Sequence, residues 1–328
     1  MLRTIKELRR GLVARLGCLV ILGGFAFATP TQAQTKVRVG KAIAQNYAFL
    51  GADVGIAAGI YKKHGLDVEI SNFGGSAKLQ QGLAANAIDI GLGSGPEMAF
   101  LAKGAPTIAV AAMADPPRTI MLVVRKDGPV NTEADLKGRK ISVSTAGSLT
   151  NWLGHELSKQ EGWGPDGIAI TPLGNMASQT AALKTKQIDG MIVESSTAYK
   201  LEEEGVARVL VKFGDRFKDF HVHVIFARKE MVEKQPDVVR AFLAAWFETI
   251  DYMQANKAKT VEIAQRVTGT SKSVAEKNYD ELMPMFNRTG KFNPKALDAL
   301  ATSWVDMHIL PAKPDVTKLY TEAFVPKK

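Results

Sequence analysis

Glycines and short polar side chains recur in this chain where apolar runs end: Gln45-Asn46-Tyr47, Gly74-Gly75-Ser76, Gly93-Ser94-Gly95, Thr145 with Gly147-Ser148, Asn175 and Glu194. Hydroxyl and amide donors beside glycines that permit close backbone approach suit an oxyanion, which wants several N–H and O–H groups and needs no fixed cation. The stretch from Gly82 to Gly104 is the most informative. Ile88 to Leu92 reads as a buried strand, Gly93-Ser94-Gly95 breaks it, and Pro96-Glu97 opens an apolar helical pattern that ends at Gly104. A strand, a glycine turn and a helix aim the N–H groups of the helix start at whatever lies beyond the strand. Glu194, at another strand end, is a candidate partner for an amine on the same ligand. Arg118 is the one guanidinium expected near these turns. A bulkier residue at Gly95 or Gly147 is expected to block the ligand and spare the fold.

The same residues argue against catalysis. Ser94 lacks the glycine two positions before it that a nucleophile elbow requires, because Leu92 stands there. Gly91-Leu92-Gly93-Ser94-Gly95-Pro96 fails as a dinucleotide fingerprint, since it ends in proline and lies on the third strand. There is no His-Glu-x-x-His and no P-loop. His221 and His223 share one strand face by their period of two, but no further ligand cluster joins them, so no metal site is expected. The expectation is a binding protein with no cofactor and no catalytic residue.

The chain has 328 residues and a net charge of +9. That length suits two domains better than one core. Residues 1–33 hold Arg3, Lys6, Arg9, Arg10 and Arg15 against Glu7, and without them the charge falls to +5, spread along the chain with no basic block. Nucleic-acid binding is therefore not expected. Those first 33 residues read as a secretory signal: a basic start, an apolar run from Leu16 to Ala28, and Thr31-Gln32-Ala33 as the cleavage site, with Ala26-Phe27-Ala28 as the alternative. The only cysteine, Cys18, lies within it. The mature chain is thus expected in the periplasm, with no disulfide and no thiol chemistry.

Strands alternating with helices from Lys36 onward predict parallel sheets covered on both faces. The unit around Leu83, Ile88, Asp89 and Gly104 has an echo in Leu183, Ile188, Asp189 and Gly205, which predicts two similar lobes. Asp115-Pro116-Pro117 breaks the rhythm and marks a first crossing between them. Gly214 to Phe220, polar and irregular, marks the second. The expected organisation is a signal at 1–33, a first lobe over 34–114, a second lobe over 115–220, and a return to the first lobe over 221–328. The last hundred residues read as helices that wrap the first lobe, with Trp246 and Trp304 in the core.

Three segments carry a family resemblance: Gly82 to Gly104, Asp135-Leu136-Lys137-Gly138-Arg139-Lys140-Ile141-Ser142-Val143, and Ala182 to Gly205. The chain resembles the type II periplasmic binding proteins of ABC importers, and within them the nitrate/sulfonate/taurine branch with the NMT1/THI5-like proteins. The resemblance spans residues 35–325. It implies an α/β, two-lobed fold with parallel-sheet lobes, two crossover strands and a helical C-terminal region. It also implies a monomer that closes on a small anionic solute (sulfonate, taurine, nitrate or carboxylate) and delivers it to membrane-embedded permease subunits. A pyrimidine or thiamine-precursor ligand is the alternative, as is a solute-sensing role. The related pyrimidine-forming enzymes rely on a cysteine-rich motif that this chain lacks.

Overall fold

A computed structural model describes residues 34–327. The expected signal at 1–33 lies outside the described residues. In chain order the elements are β1 (Thr35–Lys41), α1 (Leu50–Ala57), α2 (Ile60–Lys63), β2 (Leu66–Asn72), α3 (Ser76–Ala84), β3 (Ile90–Ser94), α4 (Met98–Ala102) and β4 (Thr107–Ala114). Then come β5 (Ile120–Arg125), β6 (Lys140–Val143), α5 (Leu149–Gln160), β7 (Ala169–Pro172), α6 (Met176–Lys184), β8 (Gly190–Glu194), α7 (Ser195–Glu203), β9 (Ala207–Lys212), α8 (Phe213–Arg216) and β10 (His223–Arg228). Helices α9 (Lys229–Lys234), α10 (Pro236–Ala255), α11 (Lys257–Thr268), α12 (Lys272–Leu282) and α13 (Pro294–Asp306) complete the chain.

Two five-stranded sheets result, ordered β2-β1-β3-β10-β4 and β7-β6-β8-β5-β9. Each consists of a parallel trio, then a strand supplied after a crossing, then an outer strand. The trios β2-β1-β3 and β7-β6-β8 are parallel, as the alternating pattern predicts. The crossing strands β5 and β10 run antiparallel to both neighbours, so the sheets are mixed. A chain that leaves one sheet at the carboxyl end of its strands enters the other from that same end, which reverses its direction.

The echo in the sequence has a common physical cause in the two sheets. Asp89 precedes β3 and bonds to Arg228 of β10 at 2.8 Å and to Arg38 of β1 at 2.7 Å. Asp189 precedes β8, stands 3.6 Å from Arg125 of β5, and accepts the Lys140 N–H at 3.2 Å. In both lobes an acid at the base of the central strand ties down the crossing strand.

Element boundaries differ from the expectation where side chains reach back. The third strand begins at Ile90, because Asp89 turns its carboxylate to Arg38 and its N–H to the Arg38 carbonyl, and it runs on through Gly93 to Ser94, paired with His223. Gly214 to Phe220 is not simply irregular. Helix α8 covers Phe213–Arg216, and Phe217 and Phe220 pack on Trp152, the latter stacked at 4.4 Å. The two crossings are joined by the side chains of Asp115 and His221. The Asn293 N–H donates to His221 Nε2 at 2.8 Å, so the ring proton lies on Nδ1 and is given to Asp115. His221 therefore precedes β10 and does not share a strand face with His223, and among the described residues no three metal-ligating side chains cluster.

Trp246 and Trp304 are fully buried, and Trp304 Nε1–H donates to the Pro96 carbonyl at 3.1 Å. Helices α10 and α11 pack on α1 of the first lobe. Helix α12 does more than wrap that lobe. It lies on α7 of the second, where Ser195 donates to Asn278 and Glu281 takes Lys212 at 2.6 Å and Tyr199 at 3.2 Å. A continuous core joins residues of both sheets, and the described residues form one compact unit. Among the described residues no helix is long and apolar enough to cross a membrane.

Candidate functional site

The carboxyl ends of both parallel trios, β1 to β3 and β6 to β8, face a common cleft, and three of its side chains meet across the lobes. Asn46 follows β1, Glu194 ends β8, and His223 opens β10. The Asn46 amide donates one hydrogen to Glu194 Oε1 at 2.6 Å and directs the other to His223 Nε2 at 3.3 Å, while its carbonyl accepts the Ala48 N–H at 2.8 Å. That set fixes the amide orientation and makes His223 Nε2 an acceptor. Burial drives the His223 pKa down to about 3, partly opposed by the Gly93 main chain, so the ring is neutral. Burial also pushes the Glu194 carboxyl up to about 8, against the pull of the nearby Thr119 hydroxyl. Oε2 of Glu194, Oγ1 of Thr119 beside it and Oγ of Ser196 are all buried without a partner in hydrogen-bond geometry. Orphaned polar atoms of this kind are costly, and a ligand that meets them recovers the loss.

Glu194 lines a cavity of about 330 Å³ that takes walls from both lobes: Gln45 from the first, Met176, Thr180, Ser196 and Lys200 from the second. Helix α7 starts here without a side-chain cap. Lys200, one turn on from Ser196, faces the same space, while Lys184 at the rim is paired with Glu204 at 2.9 Å. The third wall is Thr268 and Thr270, from the turn between α11 and α12. Sequence reasoning missed it. Tyr47 is buried beneath that turn, with its hydroxyl 3.2 Å from Thr270 Oγ1, so it braces the wall and has no open ring face.

The other expected residues divide into three groups. Gly93, Ser94 and Gly95 are buried, and the turn they form is filled from within by Glu97. Its carboxylate accepts the Ser94 N–H at 2.7 Å and the Ser94 hydroxyl at 3.2 Å. The free N–H groups expected there are thus already answered, which corrects the reading of this turn as an oxyanion cradle. A Cβ on Gly95 would collide with the His221 carbonyl, and one on Gly93 with Glu97 itself. These glycines serve packing, so a larger residue at Gly95 cannot spare the fold.

Ser148 and Asn175 cap helices: Ser148 Oγ accepts the Asn151 N–H at 3.3 Å, and Asn175 Oδ1 the Ser178 N–H at 3.0 Å. Gly147 borders a second inter-lobe cavity of about 350 Å³ with Pro96, Phe100 and Ile309. Gly74 and Thr145 are exposed, while Gly75 and Ser76 are half-buried, with the Ser76 hydroxyl close to Glu97. Arg118 lies at the crossing against Gly214, away from the cavity.

Two α/β lobes joined by two crossings, with a cavity between facing strand ends, define a type II periplasmic binding fold. The family model for NMT1/THI5-like proteins matches residues 46–260, and this chain belongs to that family. A Brucella abortus protein named as a binding protein without a ligand is 27% identical over 221 residues, 66% of this chain and 67% of its own. A Saccharomyces cerevisiae 4-amino-5-hydroxymethyl-2-methylpyrimidine phosphate synthase is 26% identical over 219 residues, 61% of this chain and 62% of its own. Among solved structures, the alkanesulfonate-binding protein SsuA of Xanthomonas axonopodis pv. citri, bound to MOPS, superposes with a TM-score of 0.76 at 18% identity, over 88% of this chain and 98% of its own.

Proposed function

We propose that this chain is the solute-binding component of an ABC importer, exported to the periplasm, acting as a monomer and handing its solute to permease subunits. The solute is a small organic acid that also carries a protonated nitrogen, an aminosulfonate of the taurine class being the simplest example. The observation that carries this reading is Glu194: a buried carboxyl at the lobe junction, with one oxygen engaged across the cleft and the other unpartnered. An ammonium group answers that oxygen. The acid end then finds the uncapped start of α7, the Ser196 hydroxyl and Lys200 on the same cavity wall. Closure follows because the solute gains contacts from both lobes only when they are shut. MOPS, the molecule in the sulfonate-binding neighbour, itself pairs an amine with a sulfonate.

A second reading, an aminated pyrimidine, draws on the same carboxyl. Glu194 in its protonated form can donate to a ring nitrogen and accept from an exocyclic amine. A thermal-unfolding screen with taurine, MOPS, methanesulfonate, nitrate and 4-aminopyrimidine separates the cases. An aminosulfonate should raise the transition, and the effect should vanish in Glu194→Gln. A response to methanesulfonate or nitrate alone would overturn the ammonium assignment, and turnover of the solute would overturn the binding role.

A further inference from the structure

The second inter-lobe cavity, of about 350 Å³, shares no lining residue with the one at Glu194, and the solute-binding reading makes no use of it. Phe100 and Lys103 reach it from the first lobe, Gly147 and Asn151 from the second. The end of α13 closes it. His308, at φ 55°, turns the chain there, and the Ile309 N–H returns to the Trp304 carbonyl at 2.8 Å, a closure that brings Ile309 into the cavity wall. A Cβ on Gly147 would stand 3.3 Å from Ile309 Cδ1, so the glycine lets the lobes meet closely at this point. An ion pair of Lys159 with Asp306 at 2.7 Å ties α5 to α13 as well.

The lining sets the chemistry of a guest. Phe100 is 37% exposed, a large apolar ring left open beside Ile309, and an open apolar face in a concavity marks a ligand surface. Two donors accompany it. Asn151 is 8% exposed, and its Oδ1 accepts the Gly147 N–H at 2.9 Å, which leaves the amide hydrogens with no protein acceptor among the described residues. Lys103, exposed at the rim, stands in no ion pair among the described residues. No acidic side chain lines the cavity.

We propose that this cavity is an accessory binding site for a monocarboxylate with an apolar tail, the tail lying against Phe100 and Ile309 and the carboxylate meeting the Lys103 ammonium and the Asn151 amide. The site goes beyond the solute-binding reading and stands whatever binds at Glu194. The two cavities select opposite chemistries: the one at Glu194 holds a carboxyl that wants a protonated nitrogen, while this one offers cationic and amide donors and an apolar wall. A guest here touches both lobes, so it favours their shut arrangement.

Calorimetric titration with acetate, butanoate, hexanoate and octanoate tests the site without its natural guest. Acetate should not bind, and along the rest of the series affinity should rise about fourfold per added methylene. 1-Octanol, which has the tail and no charge, should bind at least tenfold more weakly than octanoate. Lys103→Glu should weaken octanoate at least tenfold and spare 1-octanol, whereas Phe100→Ser should weaken both. Both side chains are exposed, so the variants should unfold at the wild-type temperature, which checks that the fold is kept. No binding of octanoate, binding no tighter than butanoate's, or binding that ignores both substitutions would overturn the proposal. So would octanoate binding that is lost in Glu194→Gln and kept in Lys103→Glu, which would put the acid in the other cavity. None of the substituted residues Phe100 and Lys103 lines the Glu194 cavity, so a failed aminosulfonate screen and a failed carboxylate series are separate results.

Discussion

Replacing Glu194 with glutamine is expected to stabilise the solute-free protein by an amount that grows with pH. Glu194 is 8% exposed, and burial lifts its carboxyl from 4.5 to about 8. A carboxyl whose folded pKa is raised carries no penalty below its unfolded value. Between the two values the unfolded chain loses its proton first, and the folded state gives up about 1.4 kcal/mol per pH unit. The penalty is about 1 kcal/mol at pH 5, about 3 kcal/mol at pH 7 and roughly 5 kcal/mol at pH 9. Glutamine has no proton to lose there, and its carbonyl oxygen can keep the bond from Asn46. Urea unfolding of both proteins at pH 5, 7 and 9 reads the difference directly, because every other titration is common to both. The variant should be nearly level with wild type at pH 5 and well ahead at pH 9. A difference that stays constant across that range, or a variant that is less stable throughout, would refute the argument that an uncompensated carboxyl sits at the lobe junction.

Two further predictions concern the frame around the site. Gly95→Ala drives a methyl group into the His221 carbonyl and should cost about 1–3 kcal/mol, read as a lower unfolding temperature; an unchanged temperature would mean that the two crossings have slack the packing denies. For Asp89, burial acts to raise the pKa, but hydrogen bonds from Arg38 and Arg228 overcome it and hold the carboxyl at about 2. That contribution is present above pH 3.8 and is lost as pH falls through 2, so Asp89→Asn should be about 2 kcal/mol less stable at pH 7 and level with wild type near pH 2. A gap that persists in acid would assign the loss to something other than the carboxylate.

Much of the frame is legible in the sequence because it is written locally. The Ile-Asp pairs at 88–89 and 188–189 recur because each central strand needs an acid at its base to hold an arginine of a crossing strand. Asp115-Pro116-Pro117 marks a crossing because proline cannot lie in a central strand. The direction of β5 and β10 is not a local property, so no periodicity reveals it. The site was harder to read for the same reason. Asn46, Glu194 and His223 come together from positions up to 177 residues apart, and Thr268 and Thr270 reach the cavity only because α12 spans to α7. One misreading had a visible cure. Ser94-Gly95-Pro96-Glu97 has the spacing of a capping box, in which the fourth residue returns to the first residue's N–H. That spacing signals that the glycine turn is closed by its own chain.

The most direct test of the central claim, that a protonated nitrogen of the solute pairs with Glu194, is the proton balance of binding. Calorimetric titration at pH 7 of the compound that raises the unfolding transition, run in two buffers of different ionisation enthalpy, measures it. Glu194 begins protonated, with its carboxyl at about 8, and must ionise to pair with an ammonium group, so binding should release about 0.9 proton and should tighten tenfold per pH unit between pH 6 and 7.5. Binding with no proton released, or with affinity that falls as pH rises, would contradict the account.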